Sequence, residues 1–438
     1  MPPIDEMGRD SAGAAPSALQ QYLFDLALFG VKLGLQHIER LLDAAGAPQR
    51  GLNIVHVAGT NGKGSVAAFL DAMFRAAGYR TGRFTSPHIQ RVNERFVVNG
   101  TPISGAALDR HLAFFKAVAE TMEPPPTFFE MNTAVALRCF AEERADIVLL
   151  EVGLGGRLDA TNVVQPMLGV ITNIDYEHQE WLGDTLAEIA GEKAGIIKEG
   201  TPVIVGERGD EALNVILTRA AQCNAPVQLL GRDFDAVATG DPWRQTLNYT
   251  SATLQLENVP LALAGRHQAA NAGVALAAAE ALQSHFPRLD AAAMQRGLAT
   301  VKWPCRLERV MENPSVIIDV AHNPAGARIL SECIGECVIL LGVSADKDVD
   351  AMLQCLGPLA KPLIVSAFTG KRALPVEALA EKAAAWNPTS CATLSEAIAL
   401  GISLATPERP LVITGSIYMA GEARALLERY WDAPPLTF

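Results

Sequence analysis

The heptapeptide Gly59-Thr60-Asn61-Gly62-Lys63-Gly64-Ser65 constrains this chain more than any other segment. It follows the run Asn53–Ala58 (NIVHVA), which reads as a strand, and opens a stretch from about Ser65 to Ala77 that reads as a helix. A glycine-rich turn between strand and helix is the context a phosphate cradle requires. The glycines let backbone N–H groups turn toward an anion, and the helix N-terminus adds the positive end of its dipole. Lys63 has the reach to meet β- and γ-phosphates. The strict pattern places Ser or Thr directly after the lysine. Here Gly64 intervenes before Ser65, so Ser65 is not expected to supply the metal-binding hydroxyl.

The same strand-and-helix rhythm runs through much of the chain. Asp146–Glu151, Leu168–Ile174 and Pro202–Val205 read as further buried strands of a parallel sheet. Between Ala225 and Ala262 the segments VQLLG, QTLNYT and ATLQLE predict a small antiparallel β region, and Ala269–Leu282 reads as a helix. A second series begins after Trp303-Pro304, with strands over Ser315–Val320, Val338–Gly342, Leu363–Ala367 and Leu411–Thr414. The expected architecture is α/β: a P-loop-type parallel-sheet ATPase domain with a small β region over 1–298, then a smaller Rossmann-like α/β domain over 299–438. The length of 438 residues accommodates two or three domains, and 49% hydrophobic against 19% charged residues excludes a disordered chain.

The net charge of −12 argues against nucleic acid or anionic lipid as a partner held by overall charge. No apolar run approaches the roughly 20 residues of a spanning segment. The start, MPPIDEMGRDSAGAAPS, lacks the apolar core of a secretory signal and reads as a loose tail. Seven cysteines without a C-x-x-C motif point to buried free thiols in a reducing cytoplasm rather than to a metal or redox site.

Three more clusters carry candidate chemistry. In Glu151-Val152-Gly153-Leu154-Gly155-Gly156-Arg157-Leu158-Asp159-Ala160-Thr161-Asn162, Glu151 ends a buried strand, the edge where open α/β sheets bind ligands. A carboxylate there suits Mg2+, which takes oxygen ligands and substrate phosphates. In Thr172-Asn173-Ile174-Asp175-Tyr176-Glu177-His178, Asp175 and His178 follow another strand end. In the second series Asp319 and His322 sit at a strand end, while Asn323 and Pro324 read as the N-cap and first residue of a helix. Lys193, within Gly191-Glu192-Lys193-Ala194-Gly195, reads by itself as a solvated helix lysine.

As an ordered set these motifs resemble the folylpolyglutamate synthase family, in its bacterial bifunctional form with dihydrofolate synthase activity, within the Mur ligase superfamily. The resemblance rests on GTNGKGS, TSPH at 85–88, TFFE at 127–130, EVGLGGRLDATN, ITNIDYEH, GEKAGIIK at 191–198, HQAANA at 267–272, DVAHNP at 319–324, LGVSADKD at 341–348 and TGSIYMAGE at 414–422. It spans about residues 20 to 425. It implies that Thr60, Asn61, Gly62 and Lys63 bind ATP phosphates, joined by Asn271, Arg306 and Asp319. It implies Ser86, Glu151 and His178 as Mg2+ ligands, and a carbamylated Lys193 for a second ion. Val31, Lys32 and Leu33, Thr127, Phe128, Phe129 and Glu130, and Leu158, Asp159 and Ala160 match a dihydropteroate or folate site. Lys32 stands where some relatives have an acid.

The implied activity is ATP-dependent ligation of L-glutamate to dihydropteroate and to reduced folates, by a monomer working in the cytoplasm without nucleic acid or membrane partners. Lys63 and Lys193 would act in catalysis; His322 is a general-base candidate on position only. Phe128 and Phe129 serve equally well as pterin-stacking or core aromatics. Two rivals stay open. A Mur-type peptide ligase of cell-wall synthesis would use a nucleotide-linked peptide. A P-loop NTPase switch would hydrolyse ATP without a small carboxylate substrate.

Overall fold

The computed structural model describes residues 16–30, 32 and 34–438. Most of the predicted N-terminal tail therefore lies outside the described residues, as do Val31 and Leu33. The first sheet contains β1 (Ile54–Ala58), β2 (Thr81–Phe84), β3 (Phe96–Val98), β4 (Thr101–Pro102), β5 (Ile147–Glu151), β6 (Leu168–Ile171), β7 (Val203–Val205) and β8 (Val227–Leu229). Their order is β4-β3-β2-β5-β1-β6-β7-β8, with β3 alone running against the others and antiparallel to both its neighbours. From β1 the chain builds outward to one side and then, crossing over, to the other. Loops at the carboxyl edge of β1 and its neighbours thus diverge and leave a crevice between them. Val57 is paired with Glu151 and Ala58 with Ile171, so β5, β1 and β6 end side by side.

A second, antiparallel sheet holds β9 (Phe234–Asp241), β10 (Arg244–Ser251) and β11 (Gln255–Leu261). It packs Leu247, Tyr249 and Leu256 into the same core as the helix Gln268–Leu282. The expected VQLLG strand belongs elsewhere: Val227–Leu229 pairs in parallel with β7 at the edge of the first sheet. Three residues carry too little periodicity to reveal their partner.

The last sheet contains β12 (Glu308–Glu312), β13 (Ser315–Ile318), β14 (Cys337–Leu341), β15 (Ala360–Val365), β16 (Thr389–Ser390) and β17 (Leu411–Thr414), ordered β12-β13-β17-β14-β15-β16. It is parallel apart from β12. The sequence reading missed β12, whose ERVME buries only Val310 fully. Asp319 therefore follows the second strand of this sheet, not the first. Asn323 does cap the helix Pro324–Ser331, accepting from the Gly326 amide at 2.7 Å. All seven cysteines are free and five are buried. Among the described residues no helix is long and apolar enough to cross a membrane.

Candidate active site

The phosphate loop joins β1 to the helix Lys63–Ala76, with Gly62 in the left-handed region as its N-cap (φ 85°). A Cβ on Gly62 would lie 2.3 Å from Asn271 Oδ1, and one on Gly59 would lie 1.9 Å from Thr172 Oγ1. Both glycines are therefore required by close approach as well as by backbone angle. Gly64 has its own reason: its Cα faces the Trp303 ring, which a Cβ would meet at 2.5 Å. Ser65 is buried, with Gln268 Nε2 at 3.4 Å from its hydroxyl, and so turns away from the crevice.

The residues after β6 brace the loop. Thr60 N donates to Asn173 O at 2.8 Å, Asn61 N to Asn173 Oδ1 at 2.8 Å, and Thr172 Oγ1 to Asn61 O at 2.6 Å. Thr60 Oγ1 bridges to the backbone of Asp175. Lys63 Nζ curls over the loop, donating to Gly59 O at 2.8 Å and Thr60 O at 2.9 Å.

Around Lys63 lie charged and titratable groups from the end of β5, the loop after β6 and the helix Leu186–Ala194. Glu151 is 4% exposed and accepts from Ser86 N at 3.0 Å. Burial pushes its carboxyl above the usual range, opposed by Lys63, the Ser86 amide, Arg306 and Arg95. Lys193 is 1% exposed, not the solvated lysine its helix pattern suggests. Its Nζ donates to Gly59 O at 3.0 Å and pairs with Glu177. Burial lowers it to about 8 against the pull of Glu177. Burial also pushes Glu177 up, but Lys63 and Lys193 outweigh that and hold it at about 2. Glu177 was not singled out from sequence; its only signal was its place beside His178. Desolvation lowers the His178 pKa, and Lys347, Lys63 and Lys193 lower it further against Glu177.

The last sheet supplies the opposite rim. Arg306 stands between Cys305 (φ 57°) and Leu307 (φ 46°), both in the left-handed region that costs a side-chain-bearing residue about 1–2 kcal/mol. Asp319 holds that conformation: Oδ2 accepts from Leu307 N at 2.9 Å and Oδ1 from Ala321 N at 2.8 Å. Its carboxylate thus positions the Arg306 segment. His322 Nδ1 lies 2.8 Å from Val320 O, on a side chain exposed at the rim, where the nearby Arg306 and Lys347 favour its neutral form. Lys347, paired with Asp346 at 2.8 Å, acts on both His178 and His322 from the loop after β14. In the sequence Lys347 stands out only as part of LGVSADKD.

At the other end of the crevice, Thr127 and Glu130 form a capping box on the helix Phe128–Glu142, with Thr127 N donating to Glu130 Oε2 at 2.7 Å. Glu130 Oε1 also lies 3.5 Å from His37 Nδ1. The two aromatics divide by burial. Phe128 is 4% exposed and stacks on Phe24 in the core, whereas Phe129 is only partly buried and rests against Gly153. Asp159 is buried and accepts from Gly153 N (3.1 Å), Leu154 N (2.8 Å) and both Thr161 N and its hydroxyl. Its carboxylate shapes the loop rather than facing the crevice. Leu158 is half-buried and Ala160 buried beside it. Lys32 Nζ donates to Pro125 O at 2.9 Å.

The chain is similar to known proteins over most of its length. Residues 57–279 match the Mur ligase middle domain and residues 305–417 the Mur ligase glutamate ligase domain. The dihydrofolate synthase/folylpolyglutamate synthase of Bacillus subtilis is 36% identical over 414 residues, covering 91% of this chain and 96% of that protein. A Mycobacterium tuberculosis folylpolyglutamate synthase complexed with ADP and AMPPCP superimposes with a TM-score of 0.82 at 37% identity, covering 90% of this chain and 95% of the other. Escherichia coli FolC in complex with DHPP and ADP superimposes at 0.84 with 31% identity, covering 95% and 98%. With both Mur ligase domains present and full-length relatives at this identity, the chain belongs to the dihydrofolate synthase/folylpolyglutamate synthase family of the Mur ligases.

Proposed function

We propose that the crevice binds ATP on Thr60, Asn61, Gly62 and Lys63 and ligates L-glutamate to dihydropteroate and to reduced folates through an acyl phosphate. As a member of its family the chain is an ATP-dependent glutamate ligase. The observation that carries the residue assignment is the convergence on Lys63 of Glu151 from the end of β5, Glu177 and His178 from the loop after β6, and Lys193 from the helix Leu186–Ala194.

In the first step a substrate carboxylate attacks the γ-phosphate in line. Lys63 stabilises the negative charge spreading over the transferred oxygens, while Asn271 and Arg306 hold the nucleotide from the far side. The resulting acyl phosphate is a far better electrophile than the carboxylate. The glutamate amine attacks its carbonyl, an amide forms, and ADP and phosphate leave. Water would destroy the intermediate, so the rim bearing Arg306, Asp319, His322 and Lys347 serves to exclude it. His322 stands exposed on the rim with Nδ1 beside Val320 O. It fits hydrogen bonding to the incoming amine better than carrying a positive charge there.

Ser86, Glu151 and His178 fit Mg2+: the Ser86 amide donates to the Glu151 carboxylate, so the serine adjoins a buried hard-oxygen ligand. Among the described residues no three His, Cys, Asp or Glu side chains come together as a metal cage. When bound, Mg2+ would neutralise charge on the nucleotide. Lys193 fits carbamylation, because an amine held at about 8 presents more of the uncharged form that takes up CO2. The carbamate would add an oxygen ligand for a second ion. The pterin end falls to the crevice walls at Lys32, Phe129 and Leu158, with Thr127, Glu130, Asp159 and Ala160 shaping them. The unit is proposed to act as a monomer in the cytoplasm. Phosphate release measured side by side with dihydropteroate and with tetrahydrofolate as acceptor tests this reading. Equal phosphate release with no acceptor at all would overturn it in favour of an NTPase switch.

A further inference from the structure

His56 is fully buried in the middle of β1, three residues before the phosphate loop begins. Nothing in the mechanism above uses it. Its Nε2 lies 2.8 Å from Thr161 Oγ1. That hydroxyl has one proton, and it points to Asp159 Oδ1, an atom that can only accept. The hydroxyl must therefore accept from the imidazole, which fixes His56 as the neutral tautomer with its proton on Nε2. Nδ1 is left buried without a partner. Such an orphaned nitrogen is costly and is tolerated where the other side of the ring is needed. Burial, with Lys198 adding, lowers the His56 pKa to about 3, so the ring stays neutral across the working range.

From Asp159 the relay continues to the amides of Gly153 and Leu154. Neighbouring Asn162 ties the far end of the same loop to Arg157 O at 2.9 Å and Gly195 O at 3.2 Å. We infer that His56 is a positioning residue that locks the 153–160 loop to the strand carrying the phosphate loop, and so sets where the pterin-bearing substrate lies relative to the γ-phosphate. One rigid strand then governs both reactants, and small misplacements of a reacting carboxylate are expensive. This inference rests on the proposed folate reading of that loop.

The test uses the full chain with His56→Phe, which keeps a ring but removes the donor, and His56→Gln, whose side-chain amide restores a donor near the Nε2 position. The expected result is a KM for dihydropteroate raised about tenfold in the phenylalanine variant, the size of one lost buried hydrogen bond. The KM for ATP should stay within about twofold. The glutamine variant should return the dihydropteroate KM toward wild type. An unchanged dihydropteroate KM, a parallel rise in both KM values, or no rescue by glutamine would each overturn the inference. If His56→Phe does not fold, Thr161→Val breaks the same relay one bond further on and is read the same way. Amide exchange at Gly153 and Leu154 without substrate separates this from the functional reading. Faster exchange in the variant supports the relay even if wild type does not turn over dihydropteroate. Unchanged exchange overturns it even if wild type does.

Discussion

The two large sheets carry their charges differently. On the first, charged side chains are buried repeatedly: Asp71, Arg83, Glu94, Arg95, Glu130, Glu151, Asp159 and Lys193 all lie within the fold. Within the second, from β12 onward, Arg424 is the only buried charged residue among those described. Its core is otherwise mostly apolar, with Ile317, Ile339, Leu341, Leu353 and Val412, and its candidate site groups stand on loops at the carboxyl edge. Buried charges are costly unless paired, and the first sheet pairs them: Lys193 with Glu177, Arg83 with Asp71. The difference teaches which half of the crevice is prebuilt. The side that carries the phosphate loop is set in a low-dielectric interior where each charge is strong. The opposite rim is held by backbone hydrogen bonds to Asp319 and presents Arg306, His322 and Lys347 from outside the core.

Removing a charge from the first sheet should therefore hurt most. Glu151→Gln keeps the shape but loses the charge. It should lower ligation by about a thousandfold with the far-ultraviolet dichroism unchanged. Near-normal phosphate release at saturating Mg2+ would show that the carboxylate holds no metal. Lys193→Ala should cost about a hundredfold. Short carboxylic acids should restore part of the rate by filling the oxygen position, whereas bicarbonate should not. A fully active variant would remove Lys193 from the site.

Within the first sheet, Ser86→Ala should raise the Mg2+ requirement more than Ser65→Ala, since the Ser65 hydroxyl faces Gln268 whereas Ser86 adjoins Glu151 through its backbone amide. The reverse order would restore the strict P-loop role to Ser65. On the rim, Asp319→Ala and Arg306→Ala should each raise the KM for ATP by about tenfold, and the double variant should do little more. Additive effects would mean that Asp319 acts independently of the Arg306 segment it now holds.

The smallest effect concerns pH. His56, His111 and His267, all on the first-sheet side, titrate at about 3, 4 and 4 when folded, against 6.5 as the ordinary value, with desolvation the leading cause. Between those values the unfolded chain binds protons that the native chain does not. Stability is therefore complete above about pH 6.5 and falls as pH drops toward 4. His56→Gln should reduce the loss of Tm between pH 7 and pH 5 by about 2–4 °C. An identical acid limb would mean that this histidine is not held neutral.

Much of the fold and part of the site were legible in the chain itself. β1, β5, β6 and β17 announce themselves as short apolar runs, and the phosphate loop needs only its glycines and their context. The Asn323-Pro324 helix start follows from local hydrogen bonding alone. What escaped were segments whose meaning depends on a distant partner. Thr81–Phe84 contains a glycine and an arginine yet is wholly buried, because Arg83 finds Asp71 and the Trp303 ring. Val227–Leu229 looked like its sequence neighbours and paired instead with β7.

Among site residues, the sequence alone determined the ones defined by local backbone geometry: Gly59, Gly62, Lys63 and the strand-end Glu151. Only the tertiary structure decided that Lys193 is buried against Glu177, that Asp159 and Asp319 give their carboxylates to backbone amides, that Phe128 lies in the core while Phe129 borders the crevice, and that His56 reaches Thr161. The physical reason is range. Capping, turns and strand patterning act over a few residues and are written in them, whereas desolvation and hydrogen-bond pairing depend on groups as far apart as Gly59 and Lys193, separated by 134 positions, which only folding brings together.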